Sequence, residues 1–150
     1  MADVLMQGYH VARDAGLLQD DAPIWFAIAM DGTVPDADSI FVDDTDLVTT
    51  EYDGAGYDRH EAAGVTWAYD SSDDEMQLDC DDDPEAFGDT VVAASDPPAG
   101  VYTILQAGGS PDDSADYVLG YNDSGSYGNG GGGALGLTVP VGGFLYSKQG

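Results

Sequence analysis

Apolar and polar positions alternate along this chain in short bursts separated by turn-forming residues, and only the first burst has a helical period. Val4, Gly8, Val11 and Ala15 fall on one stripe, with Leu5, Tyr9 and Ala12 beside it. Asp3 stands where an N-cap carboxylate can accept the first free backbone N–H groups, and Gly16 stands where a helix stops. The stripe predicts a helix over residues 3–15, and no second helix is apparent.

From Pro23 onward the pattern is that of strands. Residues 24–30 are apolar on both faces, as in a central strand covered on two sides. Residues 40–42 form another short apolar piece ahead of the polar stretch 43–46. Val65, Trp67 and Tyr69 alternate with smaller or polar residues, and Met76, Leu78 and Cys80 alternate with Gln77, Asp79 and Asp81. The turn-rich stretch 70–75 between them predicts a hairpin with one wet face. Residues 101–106, 117–121, 135–139 and 144–146 complete the set, while 96–100, 108–116 and the glycine-rich 125–134 read as loops. The predicted architecture is one domain over 1–150, mainly β: an antiparallel β-sandwich of about seven or eight strands with one short N-terminal helix.

Charge changes the picture most. The chain holds 29 Asp and Glu against three cations, Arg13, Arg59 and Lys148, for a net charge of −26. Acids in that excess cannot be neutralised internally. The Debye length is about 8 Å at physiological ionic strength and about 3 Å at 1 M, so molar salt removes most of the mutual repulsion. The composition predicts a protein made in a cytoplasm at high salt, with an acidic cation-binding or nucleic-acid-mimicking surface as the rival source of the charge. Direct nucleic-acid binding is not expected, given the scarcity of Lys and Arg for phosphate contacts. The lone Cys80 excludes an internal disulfide and reads as a small buried apolar residue. No basic leader and no run long enough for a membrane span are present, so neither a secretory signal nor a membrane partner is expected.

Catalytic parts are scarce. His10 and His60 are the only histidines, and no nucleophile elbow, His-Glu-x-x-His or Cys-x-x-Cys pattern occurs. Residues 128–133 match Gly-x-Gly-x-x-Gly formally, but a strand is predicted after them where a dinucleotide site needs a helix. Asp79, Asp81 and Asp83 have the odd spacing of a calcium loop, although Pro84 replaces the loop glycine and Thr90 its bidentate Glu. Ca, Mg or Na ions on such clusters are the one cofactor class the sequence leaves open. Asn122-Asp123-Ser124 fits the Asn-x-Ser acceptor pattern.

An ordered series of short motifs carries a resemblance. Gly54-Ala55-Gly56-Tyr57-Asp58-Arg59 is followed by Gly64-Val65-Thr66-Trp67, then by Leu78-Asp79-Cys80-Asp81-Asp82 and Phe87. Val101-Tyr102-Thr103-Ile104-Leu105, Tyr117-Val118-Leu119-Gly120-Tyr121 and residues 135–145 continue it. The series resembles a family of small virion structural proteins of tailed bacteriophages and haloarchaeal tailed viruses, marked by Gly-x-Gly-Tyr-x-Arg and Asp-x-Asp-Asp segments. The glycine-rich insertion at 128–133, the missing late tryptophan and the extra acids depart from that pattern.

The resemblance implies assembly in a virion, with self-association as a trimer or pentamer and contact with the major capsid protein or other virion proteins. A capsid-decorating or turret-type subunit is the expected role. A tail, baseplate or host-adhesion component is the first alternative. A cellular halophilic module for a cation or carbohydrate is the second, with Tyr52, Tyr57, Trp25 and Trp67 as stacking candidates, although Trp25 and Trp67 read as buried. Among the cations, Arg59 is expected to fix the turn at 53–60 through an ion pair or carbonyl contact, or else to reach a second subunit with Tyr57. Val4, Leu5, Tyr9, Phe144 and Tyr146 are candidates for subunit contacts, with core packing as their competing reading.

Overall fold

The computed structural model describes residues 3–20, 22–30, 35–52, 57–72, 74–81, 87, 91–92, 100–122, 133–134 and 144–147. Along the chain run β1 (Asp3–Leu5), α1 (Gln7–Asp14), β2 (Ile24–Ala29), a 3-10 turn (Val42–Asp44), α2 (Leu47–Thr50), β3 (His60–Glu61) and β4 (Thr66–Asp70). They are followed by β5 (Glu75–Asp79), β6 (Val91–Val92), β7 (Gly100–Leu105), β8 (Tyr117–Asn122), β9 (Gly133–Ala134) and β10 (Phe144–Ser147). The protein is mainly β, as the alternating pattern requires.

Eight strands form one sheet in the order β3-β2-β7-β8-β1-β10-β5-β4, and β6 and β9 form a separate pair. Among the described residues every pairing is antiparallel except β1 against β10. The sheet bends over one core, in which Ile24, Phe26 and Ile28 of β2 join Met76 and Leu78 of β5 through Leu5, Leu119 and Tyr146. The Asp81 N–H donates to the Ala63 carbonyl at 2.9 Å and draws the segments beyond β5 and β3 together. The result is an open sandwich rather than a closed barrel, with β3 and β4 at its two edges.

A second apolar cluster lies on the other face of β1, β2, β7 and β8. Val4, Ala27, Tyr102, Ile104, Val118 and Tyr121 are covered there by Val42 and Leu47. Burial on both faces is why β2, β7 and β8 read as continuous apolar runs. The β4–β5 hairpin forms as its alternation predicts, with Trp67 opposite Leu78 and Tyr69 opposite Met76. Its turn is local chemistry: the Asp70 carboxylate accepts the Ser72 N–H at 2.9 Å, and Asp74 takes the left-handed φ of 49°.

Two sequence expectations are corrected. The helix starts at Gln7 with Met6 as its N-cap, because Asp3–Leu5 is recruited as a strand between β8 and β10. The apolar piece at 40–42 does not become a sheet strand. Asp44 Oδ2 accepts the N–H groups of Ile40 at 3.1 Å and Phe41 at 2.9 Å and curls the chain into the 3-10 turn, with α2 after it. The expected strand at 135–139 and most of the glycine-rich stretch lie outside the described residues.

Helix α1 sits directly on β8, and Gly8 makes this possible. A Cβ there would stand 2.1 Å from the Val118 carbonyl oxygen and 2.4 Å from that of Ile40. Both are backbone atoms, so Gly8→Ala forces the helix off the sheet. It is expected to cost about 2 kcal/mol, within the overpacking range. A lower denaturation midpoint at unchanged m-value checks it.

Candidate functional site

The central feature joins two segments near each other in sequence, 50–52 and 57–59, to the distant loop 107–116. Residues 50–52 run along the edge of β2: the Met30 N–H donates to the Thr50 carbonyl at 2.9 Å and the Tyr52 N–H to the Ile28 carbonyl at 2.9 Å. This places the Glu51 carboxylate beside β3. The loop 107–116 is shaped by its own acids. Buried Asp116 accepts the N–H groups of Ala107 at 3.0 Å and Asp112 at 2.9 Å, while exposed Asp112 accepts the Ser114 hydroxyl at 2.6 Å. The Ser114 hydrogen bonds hold the Asp112 carboxyl below its usual range. The loop is also docked on the 3-10 turn, whose Asp43 N–H donates to the Asp113 carbonyl at 3.0 Å. The Asp113 carboxylate is thereby aimed at Arg59.

Arg59 closes the gap. Its Nε and Nη2 donate to the two Glu51 oxygens at 2.8 Å each, and its Nη1 and Nη2 donate to the two Asp113 oxygens at 2.9 and 3.2 Å. Two bidentate carboxylates on one guanidinium are the geometry in which arginine exceeds lysine. The Glu51 hydrogen bonds, opposed by burial and joined by those of Asp113, raise the guanidinium pKa above its already high value. Tyr57 completes the brace. Its hydroxyl donates to Glu51 Oε2 at 2.8 Å and accepts the Ile28 N–H at 3.0 Å, and its ring stacks on Phe87 at 6.2 Å. Burial first, and then the Glu51 charge, push the phenol well above its usual value.

That shift has a measurable consequence. Because the folded pKa is raised, Tyr57 contributes stability that is fully present below the unfolded phenol value of about 10 and lost as pH rises beyond it. Tyr57→Phe is expected to cost about 2 kcal/mol at neutral pH, since the Ile28 N–H loses its acceptor. It should also flatten the loss of stability above that pH, which denaturant titrations at alkaline pH would read.

Beside the brace a cleft of about 420 Å³ opens between β2, β7 and the loop 107–116. Trp25, Ile104 and Pro111 form its apolar wall, and Asp58, Arg59, Gln106 and Asp116 line the rest. Gln106 donates to the Gly108 carbonyl at 3.0 Å. The Trp25 indole N–H is buried and has no hydrogen-bond partner among the described residues.

The remaining sequence candidates fall elsewhere. Val4, Leu5, Tyr9 and Tyr146 are at most 3% exposed. They are core residues of the single chain, which corrects their reading as subunit contacts: burial leaves a partner no side-chain surface. Phe144 pairs with Leu78 along β10, and its side chain lies outside the described residues. Asp79 and Asp81 are exposed, and Asp83 lies outside the described residues. Among the described residues no three His, Cys, Asp or Glu side chains converge on one point. Trp25 and Trp67 are half-buried rather than buried, and the Trp67 Nε1 donates to the Gln19 carbonyl at 3.1 Å. Cys80 is buried, as its alternation predicts. His60 lies in β3 with its ring stacked on Phe26.

Arg59 and Tyr57 are visible in the sequence as chemistry, but Glu51 and Asp113 are two acids among 29 and carry no local signal. No family model, no characterised protein and no solved structure matches the chain.

Proposed function

We propose that this chain is a non-enzymatic structural part of a salt-adapted tailed-virus particle, a capsid-decorating or turret-type subunit that assembles with itself and with the shell protein. The observation that carries the reading is the role of Tyr57 and Arg59. In the Gly-x-Gly-Tyr-x-Arg segment these two side chains hold three distant segments together through Glu51, Asp113 and the Ile28 N–H. The motif behind the resemblance to virion proteins is thus architectural. A braced, strongly acidic domain suits a particle surface bathed in concentrated salt.

A trimer or pentamer is the expected assembly. Particles purified from a salt-adapted host should contain the chain in multiples of the shell symmetry, and imaging of intact virions should place it on shell faces or vertices. The Trp25 cleft favours a second reading, a tail or host-adhesion component, which density on tails alone would select. A chain missing from purified virions would leave the cellular halophilic binding module.

A further inference from the structure

We propose that the Trp25 cleft binds a neutral saccharide ring. The inference rests on the cleft and is independent of the virion reading.

An anion is disfavoured by Asp58 and Asp116 in the lining, with Glu51 and Asp113 just behind Arg59. Arg59 cannot offset them for a ligand. Four of its five N–H groups already go to carboxylates, and one, on Nη1, is left among the described residues. An organic cation is the competing occupant, drawn by the same carboxylates, and tetramethylammonium in the test below separates the two. A purely apolar ligand would leave the polar groups of Asp58 and Gln106 desolvated without partners.

A polyhydroxylated ring meets each part of the wall. Its C–H face can lie on the Trp25, Ile104 and Pro111 surface. Its hydroxyls can donate to the exposed Asp58 carboxylate and to the Gln106 amide oxygen, which takes no hydrogen bond among the described residues. Those same hydroxyls can accept from the remaining Arg59 N–H. Hydroxyls both donate and accept, and so does this lining. The cleft volume of about 420 Å³ falls within the range of small-ligand sites. The position of Gln106 and Asp116 at either end of the loop between β7 and β8, which Asp113 ties to Arg59, makes the site preorganised by the brace.

The test uses the full chain in molar KCl with glucose, galactose, mannose and N-acetylglucosamine as probes, read by saturation-transfer NMR and tryptophan fluorescence. Glucuronate and tetramethylammonium serve as the anionic and cationic comparisons. Saturable millimolar binding of at least one neutral sugar is expected, above either comparison. Trp25→Ala can perturb packing, so the decisive variant is Asp58→Asn combined with Gln106→Ala, both away from the core. It is expected to weaken the sugar by about tenfold or more while circular dichroism is unchanged. No binding of any neutral sugar to the folded chain would overturn the proposal. So would stronger binding of glucuronate or tetramethylammonium, or full affinity in the double variant. None of these results tests whether the chain is a virion part, so the two readings fail separately.

Discussion

Lowering KCl from about 3 M to about 0.1 M is expected to unfold the isolated chain. The Debye length grows over that range from under about 3 Å to about 10 Å. Neighbouring carboxylates that do not sense each other in molar salt then repel. The protein has little internal relief. Arg59 is committed to Glu51 and Asp113, and Arg13 reaches Asp14 at 3.5 Å at an exposed position where a pair contributes little. With 29 acids and three cations, most carboxylates can have no cationic side chain as a partner. The expected loss is about 5 kcal/mol or more, most of the stability of an ordinary domain. Far-UV circular dichroism against KCl concentration measures it. NaCl at equal ionic strength should act alike, and micromolar Ca²⁺ at constant molar KCl should leave the melting temperature unmoved. A rise in melting temperature with Ca²⁺ would instead identify a specific site at the acidic clusters. A chain still folded at 0.1 M salt would end the screening account.

Arg59→Ala in molar salt is expected to cost about 3 kcal/mol, the low end for breaking a buried ion pair, since Glu51 and Asp113 keep part of their solvent contact. The variant leaves two carboxylates facing each other and Glu51 with Tyr57 as its remaining side-chain partner. Arg59→Lys should recover less than half of the loss, because one ammonium cannot serve two carboxylates bidentately. Replacing Glu51 and Asp113 by Gln and Asn in the Arg59→Ala background should restore stability by removing the uncompensated charges. Equilibrium denaturation of the four proteins at fixed KCl decides it. An Arg59→Ala protein as stable as the parent would remove the brace from the account, and with it the structural role assigned to the motif.

Much of the fold was legible because it is local. Alternation in Trp67–Tyr69 and Met76–Leu78 specified the hairpin, since a strand half exposed to water must alternate. Apolar residues on both faces marked β2 as central, and clusters on its two sides are the reason. The helix was legible in its periodicity but not in its start. Asp3–Leu5 also pairs well as a strand, and competition between the two states is decided by β8 and β10, distant in sequence. The turn at 42–44 was missed because one side chain, Asp44, captures two backbone N–H groups that the apolar pattern assigned to a sheet.

By itself the sequence determined the class of fold, the excess of acidic over basic groups and the scarcity of catalytic motifs, because composition and short-range periodicity act without knowledge of neighbours. It also singled out Arg59 and Tyr57. Only the tertiary structure decided their partners. Glu51 is eight residues from Arg59 and Asp113 is 54 residues from it, and they meet because the edge of β2 and the loop before β8 are brought to one place by the sheet order. The Trp25 cleft has the same origin. Its wall joins β2, β7 and that loop, and a hydrogen bond or cavity between segments so far apart exists only once the sheet has bent around its core.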